Sequence, residues 1–453
     1  MKEIKKSLRI ILSTMLISIA AVAQDTSKYV LRLNLPLIDV PQNTSLPYTA
    51  PSMHQALELS NDFYELGFLG IDKLGNKLFI PKTKPYSKWR KFSNHIFKYG
   101  LSLGFSKYGS ELPIPLGVWA HEEFHRSVLG VNSISSKNGN WIFDRWDGTV
   151  YGVSDSSLHN LKNTKPEQLL YSYVAGVQYE VLLNKKTTLD DFYKKRTLAK
   201  NALLLYNAYY VYNYFKFSTS ALSDSAKVLA PKHENKNPTE RDYAGADLTA
   251  WTYDMFNPAT PFNARDSFPD GDGVNRRIGF SDLSTEAQNY LKEQKKLSLL
   301  NFVNPAIFFI NRLEIGNDFS FNIFTQYAPT HFGNSVALYI PIKYKKYDFL
   351  ISAHNYKSKN YTGYGIGLGV YNFYLSKKIE SDLEFNLWDQ PKSFFDTKGV
   401  FGGNANLSIK YNLNNSFSIY GSVVAKTRGW LMGNPYLEDN LTSLIGIKYQ
   451  IVN

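Results

Sequence analysis

The chain of 453 residues carries a formal net charge of +12 and has no cysteine. Without cysteine it can form neither a disulfide framework nor a lipid-modified cysteine anchor. Aromatic residues make up 15% of the sequence, including 32 tyrosines, and this enrichment indicates a surface that lies at a membrane interface.

The first 24 residues have the three parts of a secretory signal peptide. Residues 2–9 contain four basic side chains, residues 10–20 are apolar, and Ala21-Val22-Ala23 is a small-residue cleavage site. The apolar run is too short to be a stable membrane anchor. We therefore predict export with loss of residues 1–23. The remaining net charge of +9 favours anionic lipid headgroups or cell-surface polymers as partners, and not nucleic acid, because the sequence has no compact basic motif.

A helix is predicted over residues 53–69, and we interpret it as packing around the motif helix at residues 121–125.

The motif is His121-Glu-Glu-Phe-His125. In a helix, His121 and His125 lie one turn apart on one face, so that both imidazoles can bind one metal ion, and Glu122 lies beside them. Pro113 suits the start of such a helix and Gly130 its end. The alternative is a pair of ordinary surface or hydrogen-bonded histidines.

Residues 141–153 predict a β-hairpin around the turn signal Asp147-Gly148. Many peptidases with the HExxH motif bind the substrate backbone on a strand beside the motif helix. This hairpin suits that role, and it suits a purely structural role equally well.

A second helix is predicted from a capping box at Thr164-Lys-Pro-Glu167 through Leu183. Glu180 lies among apolar residues of this helix, where a buried carboxylate is costly unless it is paired or bound to metal. The alternative is a solvent-facing Glu180 on an amphipathic helix.

The two helices together resemble gluzincin-type metallopeptidases, whose zinc ligands are the two HExxH histidines and a glutamate from a second helix downstream. The resemblance covers these two helices, and it departs from the family at Asn184, where a further acidic residue is usual. It implies that His121, His125 and Glu180 bind Zn2+. It also implies that Glu122 is the catalytic base, which takes a proton from a water attacking a carbonyl. A tyrosine or Arg126 is expected to stabilise the oxyanion.

Other acidic residues offer alternative third ligands. A long helix at residues 198–222 is expected to be buried or to lie at an interface, and not to cross a membrane. After it come His233, Asp242, Asp247 and Asp254, and Asp247 is the best alternative because it lies on a probable helix among small and apolar residues. Residues 270–273 predict a glycine turn and not a calcium loop.

From about residue 317, the sequence alternates between polar and apolar side chains with a period of two. Eight such stretches, edged by tyrosines, predict an outer-membrane β-barrel, whereas a soluble β-sandwich or a lipocalin-like barrel is the alternative. Pro341 inside a strand and the absence of an aromatic residue at position 453 count against the membrane. The stretches are Phe319–Tyr327, Val336–Tyr344, Tyr347–Asn355, Tyr361–Tyr371, Ile379–Leu387, Asn404–Leu413, Phe417–Ala425 and Ser443–Ile451.

The sequence thus predicts an α+β protein in the outer membrane of a Gram-negative bacterium. Residues 24–305 form a mainly helical, zincin-like metallohydrolase domain, and residues 306–453 an antiparallel eight-stranded β-barrel. The predicted activity is that of a zinc metallopeptidase acting on a protein or peptide substrate. Two alternatives stay open: a non-enzymatic barrel or binding protein, and a zinc-dependent hydrolase that cleaves an amide or ester of a membrane lipid.

Overall fold

The computed structural model describes residues 29–45, 51–80, 87–139, 148–194 and 198–452. The signal peptide and residues 141–147 of the predicted hairpin lie outside the described residues. A helical part precedes a large antiparallel sheet, so the α+β class is confirmed. None of the described helices is long and apolar enough to cross a membrane.

The α-helices of the described residues follow one another along the first two thirds of the chain. They are α1 (Gln42–Ser45), α2 (Met53–Phe79), α3 (Lys88–Tyr108), α4 (Gly117–Val131), α5 (Asp155–Thr164), α6 (Pro166–Tyr193), α7 (Leu198–Ser218), α8 (Ala221–Leu229), α9 (Asp247–Phe256) and α10 (Thr285–Leu297). Short 3-10 helices connect several of them, among them Ser298–Phe302 and Pro305–Phe308.

The helix that was predicted from Thr164 begins two residues later. Thr164 is the last residue of α5, and its hydroxyl donates to the Asn160 carbonyl oxygen at 2.8 Å. α6 begins with Pro166 at its first position and extends to Tyr193. The predicted capping box is therefore wrong, because proline, which has no N–H to satisfy, starts the helix without a side-chain cap.

The strands are β1 (Val30–Val40), β2 (Lys137–Asn138), β3 (Val150–Tyr151), β4 (Leu313–Ile315), β5 (Phe319–Phe321), β6 (Phe324–Thr330), β7 (Gly333–Tyr344), β8 (Tyr347–Lys357), β9 (Thr362–Tyr374), β10 (Ile379–Pro391), β11 (Gly399–Asn412), β12 (Phe417–Lys426) and β13 (Asn440–Val452). β2 and β3 form a separate pair. The others form one sheet in the order β1-β13-β12-β11-β10-β9-β8-β7-β5-β4. β6 also pairs with β7, along the same edge of β7 as β5.

The predicted closed barrel of eight strands is corrected to an open sheet of eleven strands. One extra strand is β1, which comes from the N-terminal part and pairs with β13 from Val30↔Val452 to Val40↔Ser443. The others arise because the first predicted strand is split into β5 and β6, while β4 precedes it. The split lies opposite Pro341, which has no N–H to donate to a partner strand.

The two faces of the sheet have opposite polarity. One continuous face exposes large apolar side chains, among them Ile366 at 65%, Leu368 at 54% and Phe401 at 75% of their full accessibility. The other face is polar and encloses cavities of about 410 and 480 Å³ against α2 and α6. A soluble sandwich buries its apolar face, so this arrangement agrees with the membrane interpretation.

Helical segments contact the sheet at β1 on one edge and at β6 on the other. At β1, the Asn34 N–H donates to both Asp62 carboxylate oxygens of α2, at 2.9 and 2.8 Å. At β6, the Tyr327 N–H donates to the Asn301 side chain at 2.9 Å, and the Thr325 N–H donates to the Val303 carbonyl oxygen at 2.9 Å. These three backbone N–H groups, which a closed barrel would pair between strands, are thus paired with the helical part.

Candidate metal centre

The candidate site lies where α4 crosses α6, in the buried interior of the helical part. His121 and His125 are one turn apart on α4 and only 2% and 1% exposed. Both rings face Gly176 of α6, where a Cβ atom would overlap the Nε2 atoms of both histidines. The HExxH helix therefore packs against α6 because Gly176 has no side chain at the crossing.

A carboxylate from a third helix completes a cluster. Asp247, at the start of α9, places Oδ2 3.6 Å from Nε2 of His121 and 3.3 Å from Nε2 of His125. One ligand atom from each of the three residues lies within 4.8 Å of the other two. Two imidazole nitrogens and one carboxylate oxygen form a donor set that suits Zn2+ with a fourth position for water.

The other ring nitrogen of each histidine has its own partner. Nδ1 of His121 lies 3.1 Å from Oε1 of Glu180, and Nδ1 of His125 lies 2.5 Å from the Ser172 carbonyl oxygen. Both acceptors come from α6, and they require the proton on Nδ1. The Nε2 lone pairs are then directed toward Asp247, which is the tautomer that a metal ligand needs.

This geometry separates the two sequence candidates for the third ligand. Glu180, which the sequence favoured, contacts the Nδ1 side of His121 and lies away from the cluster formed by the Nε2 atoms. Asp247, the alternative, lies on the Nε2 side of both rings. The arrangement therefore favours Asp247 as a ligand and Glu180 as the residue that orients His121.

Glu122 is buried beside this cluster, with 8% of its surface exposed. Burial raises the pKa of Glu122 well above its usual range, and the negative charges of Asp247, Asp242 and Glu180 add to this effect. Burial opposes ionisation of Asp247 as well, but His125 and His121, in their protonated form, outweigh it and hold the Asp247 pKa below its usual range. The acidic groups around two imidazoles thus create an environment that attracts a cation.

Tyrosines line the cluster, and the sequence analysis did not identify them individually. The Tyr214 hydroxyl donates to Oδ2 of Asp247 at 2.6 Å, and the Tyr243 hydroxyl donates to the Ser172 carbonyl oxygen at 2.8 Å. The ring of Tyr210 lies 5.9 Å from that of His121. The spacing of Tyr206, Tyr210 and Tyr214, four residues apart on one helix, was the signal available in the sequence.

Other candidates from the sequence lie away from the cluster or have structural partners. The Arg126 guanidinium donates to both carboxylate oxygens of Glu123, at 2.7 and 2.8 Å, and to the Ser136 carbonyl oxygen. Asp254 pairs with Lys162 and Arg265, each at 2.8 Å. His233 is exposed. The Arg126 guanidinium is thus engaged by Glu123 and Ser136 and is not directed at the cluster of His121, His125 and Asp247.

No known protein family and no curated protein matches this sequence. Among solved structures, a NanC porin shares 8% identity over 31% of this chain and 76% of its own length, with a TM-score of 0.25. An anion-selective porin from Comamonas acidovorans shares 13% identity over 31% of this chain and 47% of its own, with a TM-score of 0.22. At such scores, neither porin defines the fold or the function of this chain.

Proposed function

We propose that this protein resides in the outer membrane of a Gram-negative bacterium and is a zinc-dependent hydrolase. The observation that carries the hydrolase is the buried cluster of His121, His125 and Asp247 with Glu122 beside it. The predicted signal peptide and the exposed apolar face of the sheet support the membrane location. The sheet would lie in the membrane with its apolar face toward lipid.

The residues fit a zinc ion on three grounds. The donor set has the right atoms, both Nδ1 atoms have acceptors that fix the tautomer, and Gly176 leaves the Nε2 atoms unobstructed. Bound there, zinc would polarise a carbonyl group and lower the pKa of water.

Glu122 is the residue that would move the proton. It would accept a proton from the attacking water and return it to the leaving atom, so that one carboxylate serves both steps. Glu180 would hold the His121 ring in place, and the Ser172 carbonyl would do the same for His125. The resemblance to HExxH peptidases favours a peptide bond as the bond cleaved, whereas the cluster itself requires only an amide or ester carbonyl.

A non-enzymatic outer-membrane barrel or binding protein is the second candidate. The hydrogen bonds from His121 to Glu180 and from His125 to Ser172 are also those of satisfied core histidines. The sheet would account for residence in the membrane without any catalytic site.

Zinc content of the detergent-purified protein separates the two candidates. We expect about one zinc per chain in the wild type and in His233→Ala, which removes an exposed histidine, and none in His125→Ala. Glu122→Gln should retain zinc and lose hydrolysis of a peptide library. A folded, zinc-supplemented wild type that binds no zinc would rule out the hydrolase and leave the non-enzymatic candidate.

A further inference from the structure

Four aromatic side chains form a continuous row along one face of α7. The row consists of Tyr206, Tyr210, Tyr214 and Phe217, and is called the α7 aromatic ladder below. Successive ring centroids are 6.1, 6.3 and 6.5 Å apart. All four side chains are partly exposed. They therefore form a surface that a ligand can contact.

The ladder presents ring carbon more than hydroxyl groups. The Tyr206 hydroxyl is hydrogen-bonded to the Ser110 hydroxyl at 3.0 Å, and the Tyr214 hydroxyl donates to Asp247 at 2.6 Å. Because these two hydroxyl groups are engaged within the protein, the accessible parts of the Tyr206, Tyr214 and Phe217 rings are mainly apolar. Such a surface suits a hydrocarbon chain better than a polar peptide backbone.

The ladder is continuous with the candidate metal centre. The His121 ring lies 5.9 Å from the Tyr210 ring and 6.1 Å from the Tyr214 ring, between centroids. The cluster therefore lies beside the middle of the ladder, so that an acyl chain with its carbonyl group at the cluster would extend along the ladder toward Tyr206 or toward Phe217.

The helix that packs along α7 has the composition of a membrane-surface helix. α3 carries five basic residues and no acidic residue between Lys88 and Tyr108. It also exposes large side chains, with Trp89 at 72% and Tyr108 at 66% of full accessibility. Basic residues among exposed aromatic side chains favour contact with anionic lipid headgroups. The acyl chains of the same lipids would lie within reach of α7.

We propose, on the basis of the hydrolase function above, that the α7 aromatic ladder is an acyl-chain subsite. The substrate class is an amide or ester of a long-chain fatty acid that enters from the membrane. In the reaction, the oxygen of water forms a bond to the acyl carbonyl carbon, and the C–N or C–O bond breaks. Glu122 carries the proton from water to the leaving nitrogen or oxygen. The products are the carboxylic acid and an amine or alcohol, as in any hydrolysis.

Photocrosslinking tests the subsite without requiring turnover. A long-chain fatty-acyl amide with a diazirine at the end of its acyl chain is irradiated with the detergent-purified protein, with and without zinc, and labelled peptides are mapped by mass spectrometry. We expect labelling within residues 206–217, reduced about threefold or more in Tyr206→Ala. The matched control is Tyr209→Ala, on the same helix but outside the ladder. Labelling that is absent or lies elsewhere overturns the acyl-chain subsite.

Hydrolysis of a chain-length series tests the substrate class and distinguishes its sources. Zinc-loaded protein receives acyl amides of a short peptide and acyl esters of glycerophosphate, each as monomers with chains of four to twelve carbons. We expect kcat/KM to rise on the order of tenfold or more across the series. Faster cleavage of the amides identifies an acylated peptide, and faster cleavage of the esters identifies a phospholipid.

The two proposals fail in different ways. Cleavage that is independent of chain length, with unacylated peptides cleaved equally well, overturns the acyl-chain subsite and leaves the hydrolase intact. A wild type that binds no zinc and cleaves neither series overturns the hydrolase, while photocrosslinking still decides whether the ladder binds an acyl chain.

Discussion

In the helical part, apolar side chains such as Phe124 and Val128 are fully buried, and buried charged groups such as Arg126 with Glu123 are paired. In the sheet the positions of apolar and charged side chains are reversed. Ile366 and Leu368 point outward, while Glu384 and Lys448 line cavities inside. The difference reflects the surroundings of each region. A helical interior built to exclude water strengthens every electrostatic interaction within it, whereas an apolar outer face is stable only against lipid.

The comparison also explains how the two regions join. Lys186 of α6 pairs with Glu58 of α2 at 3.0 Å, and Lys185 lies 3.6 Å from Glu384 of β10. These ion pairs lie in the polar space that the sheet encloses. The helices α2 and α6 thus present polar side chains to the sheet, while α6 presents Gly176 and Glu180 to α4. α6 thus faces a polar cavity on one side and the buried cluster of His121, His125 and Asp247 on the other.

The largest effect on zinc binding is expected from Gly176→Ala, which tests the close crossing of α4 and α6. The added methyl group overlaps both histidine Nε2 atoms. We therefore expect loss of zinc binding and a decrease of about 1 to 3 kcal/mol in the free energy of unfolding. The control is Gly70→Ala, since a Cβ there has no neighbour within 4 Å. Elemental analysis and denaturant titration measure both effects, and normal zinc content in Gly176→Ala would show that the metal binds elsewhere.

Leu368→Arg is expected to change stability in the membrane without changing zinc binding, and it tests whether the outer face of the sheet contacts lipid. An arginine there should cost about 2 to 4 kcal/mol in a bilayer and little in water. Leu375→Arg, in the turn after β9 and 59% exposed in the wild type, should be neutral. Refolding into phospholipid vesicles gives both free energies. Equal stability of the two variants in vesicles would contradict insertion of this face.

A smaller effect on zinc affinity distinguishes the third metal ligand from the residue that orients His121. If Asp247 binds zinc and Glu180 orients His121, Glu180→Gln should weaken zinc binding by about 10 to 100-fold, and Asp247→Asn should weaken it more. Competition with a chelator measures both affinities in otherwise identical proteins. The opposite order, with Glu180→Gln the more damaging substitution, would restore Glu180 as the third ligand.

The smallest effect is expected from Arg126→Lys, which tests the structural role of this side chain. Lysine cannot reproduce the paired hydrogen bonds to Glu123, so we expect a loss of about 1 kcal/mol of stability. Zinc affinity and turnover should be unchanged. A large fall in kcat with normal stability would indicate instead that Arg126 stabilises the oxyanion.

The sequence alone determined those features that depend on the spacing of a few neighbouring residues. The spacing of His121 and His125 is set by the helical period, and seven of the eight alternating stretches are single strands in the structure. Both signals are local, because a helix turn and the alternation of side chains along a strand are properties of a few neighbouring residues. The helix 198–222 was predicted for the same reason, although α7 ends at Ser218 and α8 follows it.

The third member of the cluster and the open sheet depended on tertiary structure. The sequence favours Glu180 over Asp247 as the third ligand, and only the crossing of α4, α6 and α9 places Glu180 at Nδ1 and Asp247 at Nε2 of His121. β1 joins the sheet because residues 30–40 meet β13 at the far end of the chain. These contacts join segments more than 50 residues apart, so no local pattern of side chains specifies them.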